Sequence, residues 1–241
     1  MTHFIRFHHQ GRSAYGILQG EIVHELDGNL FAHRETGRTF PLSSVKPLPP
    51  CEPSKVLAVG LNYGSHLNGR PAPSAPEIFY KPVSCLIATG ENVVIPKDAK
   101  NVHSEGELVI VMGPDNSIFG YTCGNDVSER DWQHGPNKDL QWWRAKGADT
   151  FGPLGPSVVT GIDASHLLLQ TRYNGETVQK QYTSDLMFNC AAIVDYVRQW
   201  VTLLPGDVIY TGTPGSTKKM NPGDIVEVEI EGIGVLRNRV A

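Results

Sequence analysis

The sequence lacks the features that identify several classes of protein. Its four cysteines form no CxxC pair, and such scattered thiols in 241 residues fit neither a disulfide framework nor a zinc site. Its 21 Lys and Arg are outnumbered by 25 Asp and Glu, so no basic surplus is present to bind nucleic acid. No aliphatic run is long enough for a bilayer, and the first ten residues, MTHFIRFHHQ, lack the apolar stretch of a signal peptide. We therefore expect a cytoplasmic globular protein with no nucleic-acid or membrane partner.

Turn-forming residues are plentiful, with 25 Gly and 17 Pro. They interrupt short apolar stretches about every 8 to 12 residues, which is typical of β-rich folds. Asn174-Gly175 indicates a type I′ hairpin, and the Pro-Gly-Asp turns at 205–207 and 222–224 each precede an apolar strand. Helical spacing of apolar residues predicts one clear helix, from an N-cap at Ser184 to Val197. The sequence predicts a mainly β fold with few helices, of the α+β class.

A proline-rich stretch, VKPLPPCEPS, separates two parts of different character. Before it, the short β-type stretches FIRF, SAYGIL and EIVHEL alternate with turns. Proline fixes φ and removes backbone donors, so the stretch reads as a semi-rigid linker. We predict a small N-terminal β domain over residues 1–48, a linker over 49–54, and a larger catalytic domain over 55–241.

Two glutamates stand in an unusual place, at the start of the apolar run LVIVM. In a strand, Glu105 and Glu107 point to the same face, where two carboxylates repel each other and are costly to desolvate. A bound divalent cation would remove that cost, and oxygen ligands suit Mg²⁺, Mn²⁺ or Ca²⁺. Solvated glutamates on a half-exposed strand are the alternative interpretation.

A third carboxylate follows from the turn after that strand. GPDNS, at 113–117, reads as a turn centred near Asp115, so the next strand should return antiparallel. Symmetric pairing about that centre places residue 125 opposite residue 105, and Asp126 at about the level of Glu105. The spacing predicts a site of three carboxylates with positions left for water or substrate.

From Lys55 onward the chain resembles the fumarylacetoacetate hydrolase family, which includes acylpyruvases, 2-oxo acid decarboxylases and hydroxyheptadienedioate isomerases. The resemblance implies the family's mixed β-roll, with a variable N-terminal β domain, and a homodimer. It rests on seven stretches in the family's order: VGLNYGSH (59–66), FYKP (79–82), HSEGELVIVMG (103–113), NDVSERDWQ (125–133), RAKGADTFGPLGP (144–156), NGE (174–176) and LLPGDVIYTGTP (203–214).

The resemblance also implies roles for individual residues. The metal, Mg²⁺ or Mn²⁺, would be bound by Glu105, Glu107 and Asp126. Substrate would contact Arg130, Gln133, Lys146 and Thr213, with Lys146 also acting in catalysis. His66 matches a histidine on a mobile lid segment, which in the family pairs with a glutamate three residues later to activate water. The implied reaction is metal-dependent hydrolysis of a C–C bond in a 2,4-diketo, acylpyruvate-like acid through an enolate.

The position of the lid glutamate is Gly69 in this chain, which keeps other reactions open. Decarboxylation or keto–enol isomerisation of a 2-oxo acid needs no attacking water, only the metal and proton transfer. Glu77 and His134 are candidates to replace the missing glutamate. A third alternative is a catalytically inactive binding protein that keeps the metal for stability. In each enzymatic case the partner is a small 2-oxo or diketo acid.

Overall fold

Short apolar stretches between frequent turns produce a fold that is mainly strand. The structure, a computed structural model, describes residues 1–134, 138–139 and 141–241. The strands found there are β1 Thr2–His9, β2 Arg12–Gln19, β3 Ile22–Gly28, β4 His33–Pro41, β5 Lys46–Leu48, β6 Val56–Gly60, β7 Glu77–Lys81, β8 Leu86–Ile87, β9 Asn92–Val93, β10 Val102–Ser104, β11 Gly106–Met112, β12 Ile118–Asn125, β13 Ser128–Glu129, β14 Gly152–Thr160, β15 Leu168–Tyr173, β16 Glu176–Tyr182, β17 Val208–Tyr210, β18 Lys218–Lys219, β19 Ile225–Ile230 and β20 Gly234–Val240. The helices are α1 Arg130–Gln133, α2 Trp142–Ala145 and α3 Cys190–Val197. The prediction of a mainly β fold with few helices is confirmed.

The strands form three sheets. The largest has the order β4-β3-β2-β1-β14-β12-β11-β17-β6-β7, with β5 pairing to β1 and β8 to β14. A three-stranded sheet has the order β13-β10-β18, and a five-stranded sheet the order β16-β15-β19-β20-β9. The chain passes from the three-stranded sheet to the largest one at a single residue, Glu105, between β10 and β11.

Strand β11 lies at the centre of the core and is buried along its whole length. Leu108 and Ile110 pack in a cluster with residues of the five-stranded sheet and α3. Val109 and Val111, on the opposite face, pack in a second cluster that includes Phe4 of β1. Because both faces are covered, this stretch is a continuous apolar run rather than an alternating one.

The first four strands form the antiparallel meander that the sequence predicts and then continue the largest sheet. The register of β1 against β14 pairs Thr2 with Thr160 and Phe4 with Val158. β5, in the proline-rich stretch, returns to pair with β1. The N-terminal strands therefore share a sheet with the rest of the chain. The division into domains at 49–54 stays a prediction.

The predicted turns lie where the sequence places them. Asn174 and Gly175 both have positive φ, 51° and 85°, as a type I′ hairpin requires, and they join β15 to β16. The turn at 113–117 joins β11 to β12, with Asp115 at φ 59°. Each of the two Pro-Gly-Asp turns is followed directly by its strand, β17 or β19.

The start of the main helix was predicted wrongly. α3 begins at Cys190, and its N-cap is Asn189, whose side chain accepts from the backbone N–H of Ala192 at 2.9 Å. Ser184 lies instead in the short 3₁₀ turn Thr183–Asp185, and buried Asn62 binds the backbone that follows, because it accepts from the N–H groups of Met187 and Phe188. None of the helices in the described residues is long and apolar enough to cross a bilayer.

Candidate active site

Three buried carboxylates converge where the three-stranded sheet meets the largest one. Glu105, Glu107 and Asp126 are each at most 3% exposed, and one oxygen of each lies within 4.8 Å of the others. An all-oxygen donor set suits a hard divalent cation such as Mg²⁺ or Mn²⁺. The structure thus brings together the three residues that the sequence predicts as metal ligands, and their chemistry fits that role.

The hairpin that positions Asp126 has a register one residue away from the predicted one. Near the turn, Met112 pairs with Ile118, as symmetry about Asp115 requires. A bulge then inserts one extra residue into β12, so that Gly106 rather than Glu105 pairs with Asn125. As a result Asp126 lies directly opposite Glu105, and its N–H donates to the carbonyl oxygen of Glu105 at 2.9 Å.

Three cations balance the three carboxylates. Lys146 donates to Glu105 and, at 2.7 Å, to Oδ2 of Asp126. Lys81 donates to Oδ1 of Asp126 at 2.5 Å, and Arg130 pairs with Oε1 of Glu105. Burial alone would raise the pKa of Glu105, but Arg130 and Lys146 hold that pKa well below its ordinary value. A carboxylate oxygen has two lone pairs, so these contacts leave room for a metal bond.

Lys81 is the residue of this cluster that sequence reasoning missed. It ends β7, its side chain is fully buried, and it donates both to Asp126 and to the backbone carbonyl of Lys146. The sequence offers only a weak indication that Lys81 belongs to the site. Lys81 follows Phe79 by two residues, so both lie on the same face of the strand, in the stretch FYKP that resembles the family. Because lysine is rarely buried without a charged partner, the distant Asp126 explains its position.

Glu107 differs electrostatically from the other two carboxylates. Its Oε2 accepts from the N–H of Gly212 at 2.7 Å, but no cation is paired with it among the described residues. Burial, reinforced by the charges of Asp126 and Glu105, raises the pKa of Glu107 well above its ordinary value. A cation needs the ionised form of Glu107, which this raised pKa disfavours.

Cation binding is accordingly expected to release protons and to tighten as pH rises, because the metal binds the ionised carboxylates. Titration calorimetry with Mn²⁺ at one pH, in two buffers of different ionisation enthalpy, measures the number released. Glu21→Gln, at an exposed glutamate away from the cluster, is the matched control and should keep the difference between the buffers. Equal heats in both buffers for the unmodified protein would contradict the assignment.

His66 faces this cluster from the short turn Gly64–His66 that follows β6. Its Nδ1 lies 2.5 Å from the carbonyl oxygen of Gly215, which can only accept, so Nδ1 carries the proton in the neutral ring. The other nitrogen, Nε2, then has its lone pair free and lies 3.7 Å from Oε1 of Glu105. A Cβ built on Gly69 would have no atom within 4 Å, so this position contacts nothing near His66.

The predicted substrate residues line one cavity of about 420 Å³ beside the carboxylates. Gln133 accepts from Nη1 of Arg130 at 3.0 Å, which leaves its NH₂ group to donate to a ligand. Thr213 donates to the carbonyl of Gly106 and accepts from Gln179, each at 2.9 Å. Gln179, buried in β16, is a second residue that sequence reasoning missed.

The two candidates to replace the missing glutamate also line this cavity. Glu77 and His134 are both in its wall, but within the described residues neither makes a hydrogen bond or ion pair with His66. His103, in β10 before the first of these carboxylates, is outside the carboxylate cluster. Its ring nitrogens lie 2.8 Å from Thr217 and from Asn101.

Comparison with known proteins places these residues in a family. Residues 55–241 match the family model described as fumarylacetoacetate (FAA) hydrolase C-terminal, and residues 2–50 match that described as Rv2993c-like, N-terminal. The crystal structure of a 5-carboxymethyl-2-hydroxymuconate delta-isomerase from Mycobacterium smegmatis superposes with a TM-score of 0.92 at 41% identity, covering 99% of each chain. That of a 2-hydroxyhepta-2,4-diene-1,7-dioate isomerase from Mycobacterium marinum gives 0.91 at 38%, covering 100% of this chain and 98% of that one.

A curated relative supports the same family assignment. A mitochondrial oxaloacetate tautomerase from Bos taurus is 38% identical over 224 residues, which cover 83% of this chain and 71% of the relative. The match to the hydrolase model spans all three clustered carboxylates and most of the chain. The chain therefore belongs to the fumarylacetoacetate hydrolase family.

Proposed function

We propose that this protein is a divalent-metal-dependent keto–enol tautomerase or isomerase of a 2-oxo acid. The observation that carries the proposal is the position of His66: its free Nε2 faces the carboxylate cluster, and among the described residues its only glutamate neighbour is the proposed metal ligand Glu105, so no separate glutamate pairs with it to orient a water. A proton-transfer reaction needs such a base, whereas hydrolysis also needs an activated water. The names of the relatives, two isomerases and a tautomerase, support the same choice.

The chain supplies a metal site, anion contacts and a base. When bound by Glu105, Glu107 and Asp126, the cation would act as a Lewis acid on a 2-oxo oxygen and favour the enol. Lys146 would stabilise the negative charge that develops on that oxygen, since its ammonium group lies at the cluster. His66 Nε2 would accept the proton that leaves C3 and return a proton in the reverse direction.

The charge balance of the site favours an anionic substrate. When all three carboxylates are ionised, as metal binding requires, their charges are matched by those of Lys81, Lys146 and Arg130. A divalent cation therefore adds two positive charges to a buried site. A 2-oxo acid carrying two negative charges would compensate them.

The test is turnover of oxaloacetate. We expect Mn²⁺-dependent acceleration of enol-to-keto conversion, followed by the ultraviolet absorbance of the enol, and its loss with excess EDTA. His66→Ala should lower the rate by about 100-fold or more, the usual effect of losing a general base. His24→Ala, in β3 away from the cavity, is the matched control. Unchanged tautomerisation in H66A would contradict the proposed base.

Hydrolysis of a 2,4-diketo acid is the second candidate, because Glu77 lines the same cavity as His66 and offers a carboxylate for water. Acetylpyruvate distinguishes it: metal-dependent loss of the diketo chromophore with pyruvate formation identifies C–C cleavage. Release of CO₂ from oxaloacetate would instead identify decarboxylation. Mn²⁺ binding with no turnover of either acid would favour the inactive binding protein.

A further inference from the structure

Three side-chain hydrogen bonds hold the guanidinium group of Arg130. Its Nη1 donates to Gln133 at 3.0 Å, and its Nη2 donates both to Oε1 of Glu105 and, at 3.1 Å, to the hydroxyl oxygen of Thr217. Gln133 and Glu105 line the cavity and are assigned to the substrate and the metal, whereas Thr217 is outside the wall of that cavity. Thr217 can therefore hold Arg130 without itself being used by either.

These bonds decide which donors of Arg130 remain for a ligand. They use both hydrogens of Nη2 and one of the two on Nη1. The Nε hydrogen and the second Nη1 hydrogen have no acceptor within the part of the chain that the structure describes. All five donors lie in one plane, so anchoring Nη2 on Thr217 also sets the direction of the free ones.

The hydroxyl of Thr217 has one hydrogen, and its neighbours determine where that hydrogen points. Its oxygen lies 2.8 Å from Nδ1 of His103, and Nε2 of the same ring lies 2.8 Å from Oδ1 of Asn101. Nδ2 of Asn101 donates to Asp131 at 2.9 Å, so the amide presents to His103 its oxygen, which only accepts. In the neutral ring Nε2 therefore carries the proton, and Nδ1 accepts from Thr217.

The hydrogen bonds thus run in one direction, from Arg130 through Thr217, His103 and Asn101 to the carboxylate of Asp131. Each group in such a chain polarises the next, which strengthens the bonds. Asn101 also accepts from the backbone N–H of Arg130 through its own carbonyl, at 3.0 Å. The backbone and the side chain of Arg130 are therefore both connected to Asn101.

Strand pairing brings the two central members of this chain together. β18 pairs antiparallel with β10, with Lys219 opposite His103. Thr217 precedes Lys219 by two residues and so lies diagonally across from His103, within reach of its ring. The backbone N–H of Met220 donates to the carbonyl of Val102 at 2.8 Å and extends the same pairing.

We propose that Thr217 is a positioning residue for Arg130, and that His103 holds the Thr217 hydroxyl in the orientation that accepts from the guanidinium group. The proposal rests on the proposed function, because the contact of Arg130 with the substrate is what is positioned. Thr217 and His103 act through Arg130 and are assigned no contact with the metal or the substrate.

The kinetic test removes the hydroxyl and then restores it. Thr217→Val keeps the shape of the side chain, and we expect KM for oxaloacetate with Mn²⁺ to rise roughly 10-fold, the effect of weakening one hydrogen bond to a charged group. The value of kcat should change by less than about 3-fold, as when binding common to substrate and transition state is lost. Thr217→Ser keeps the hydroxyl and should retain the wild-type KM. Thr202→Val, at an exposed threonine outside the cavity, is the matched control.

The second test observes the hydrogen-bond chain itself, in the metal-free protein. Nitrogen-15 NMR of the imidazole rings shows which nitrogen of His103 carries the proton, and the signals are assigned by their absence in His103→Gln. We expect the proton on Nε2, and a shift of the Nδ1 signal in T217V to that of a nitrogen with no donor. A proton on Nδ1, or an unchanged Nδ1 signal in T217V, would overturn the role of His103.

The outcomes separate the proposal from the function on which it rests. A wild-type KM in T217V, even with a lowered temperature of unfolding, would show that Thr217 only stabilises its loop. A KM raised equally in T217S would show that the hydroxyl is not the group that acts. Either result overturns the role of Thr217 and leaves the proposed function in place. If the wild-type protein with Mn²⁺ does not convert oxaloacetate, the proposed function fails, and the role of Thr217 with it.

Discussion

Replacing Glu105 by glutamine is expected to weaken Mn²⁺ binding by at least about 100-fold and to remove activity on any 2-oxo acid. The loss of groups that only support a metal ligand costs 10- to 100-fold in affinity, so loss of a ligand's charge should cost at least as much. Glu105 also pairs with Arg130 and Lys146, and both cations would repel the metal once that carboxylate is neutral. Calorimetric titration with Mn²⁺ and the oxaloacetate assay measure the two effects.

The control is Glu21→Gln, an exposed glutamate outside the cavity, which should leave both measurements unchanged. The thermal unfolding of E105Q must be followed as well, because Arg130 is left partly unpaired. Full activity in a folded E105Q would show that the three carboxylates do not hold the catalytic metal.

Replacing Asp207 by alanine should lower the free energy of unfolding by about 3–5 kcal/mol, more than any other substitution proposed for this protein. This buried carboxylate accepts from the backbone N–H groups of Ser54, Lys55 and Leu204, at 2.9, 3.0 and 2.7 Å, and also pairs with the Lys55 ammonium group. Removing it leaves those donors and the lysine charge without their acceptor. Urea unfolding of the wild type and D207A measures the difference.

The size of that difference should depend on pH. Burial would raise the pKa of Asp207, but hydrogen bonds from Lys55, Leu204 and Ser54 hold it below its ordinary value. Its contribution is therefore complete above the ordinary aspartate pKa and is lost as the pH falls through the lowered one. Asp98→Ala, at an exposed site, should change stability by less than about 0.5 kcal/mol at any pH. A similarly small change in D207A would contradict the role of Asp207.

The sequence allowed the carboxylate cluster to be predicted because its geometry is local. Glu105 and Glu107 lie two residues apart, and Asp126 returns to them through one hairpin whose turn is visible as GPDNS. The bulge in β12 was not predictable in the same way, because nothing in its residues marks an inserted position. The resulting error was a single residue of register, and Asp126 still reached Glu105.

The parts that were missed depend on contacts between distant segments. Lys81 is buried because Asp126, 45 residues later, accepts its charge. The predicted start of α3 at Ser184 was wrong because Asn62, more than a hundred residues earlier, binds the backbone of Met187 and Phe188 just before Asn189. Local sequence propensity does not predict either contact, because each forms only when the packed core brings the two segments together.

The pairing of β1 with β14 has a consequence for the edge of the large sheet. Without the first strand, β14 would present unpaired backbone N–H and C=O groups beside Val158 and Val159, which are both buried in the intact protein. An exposed, apolar strand edge is a template for pairing with other chains and hence for aggregation. The N-terminal strands thus cover this edge of the sheet. They contribute no carboxylate to the cluster, but the protein's resistance to aggregation depends on them.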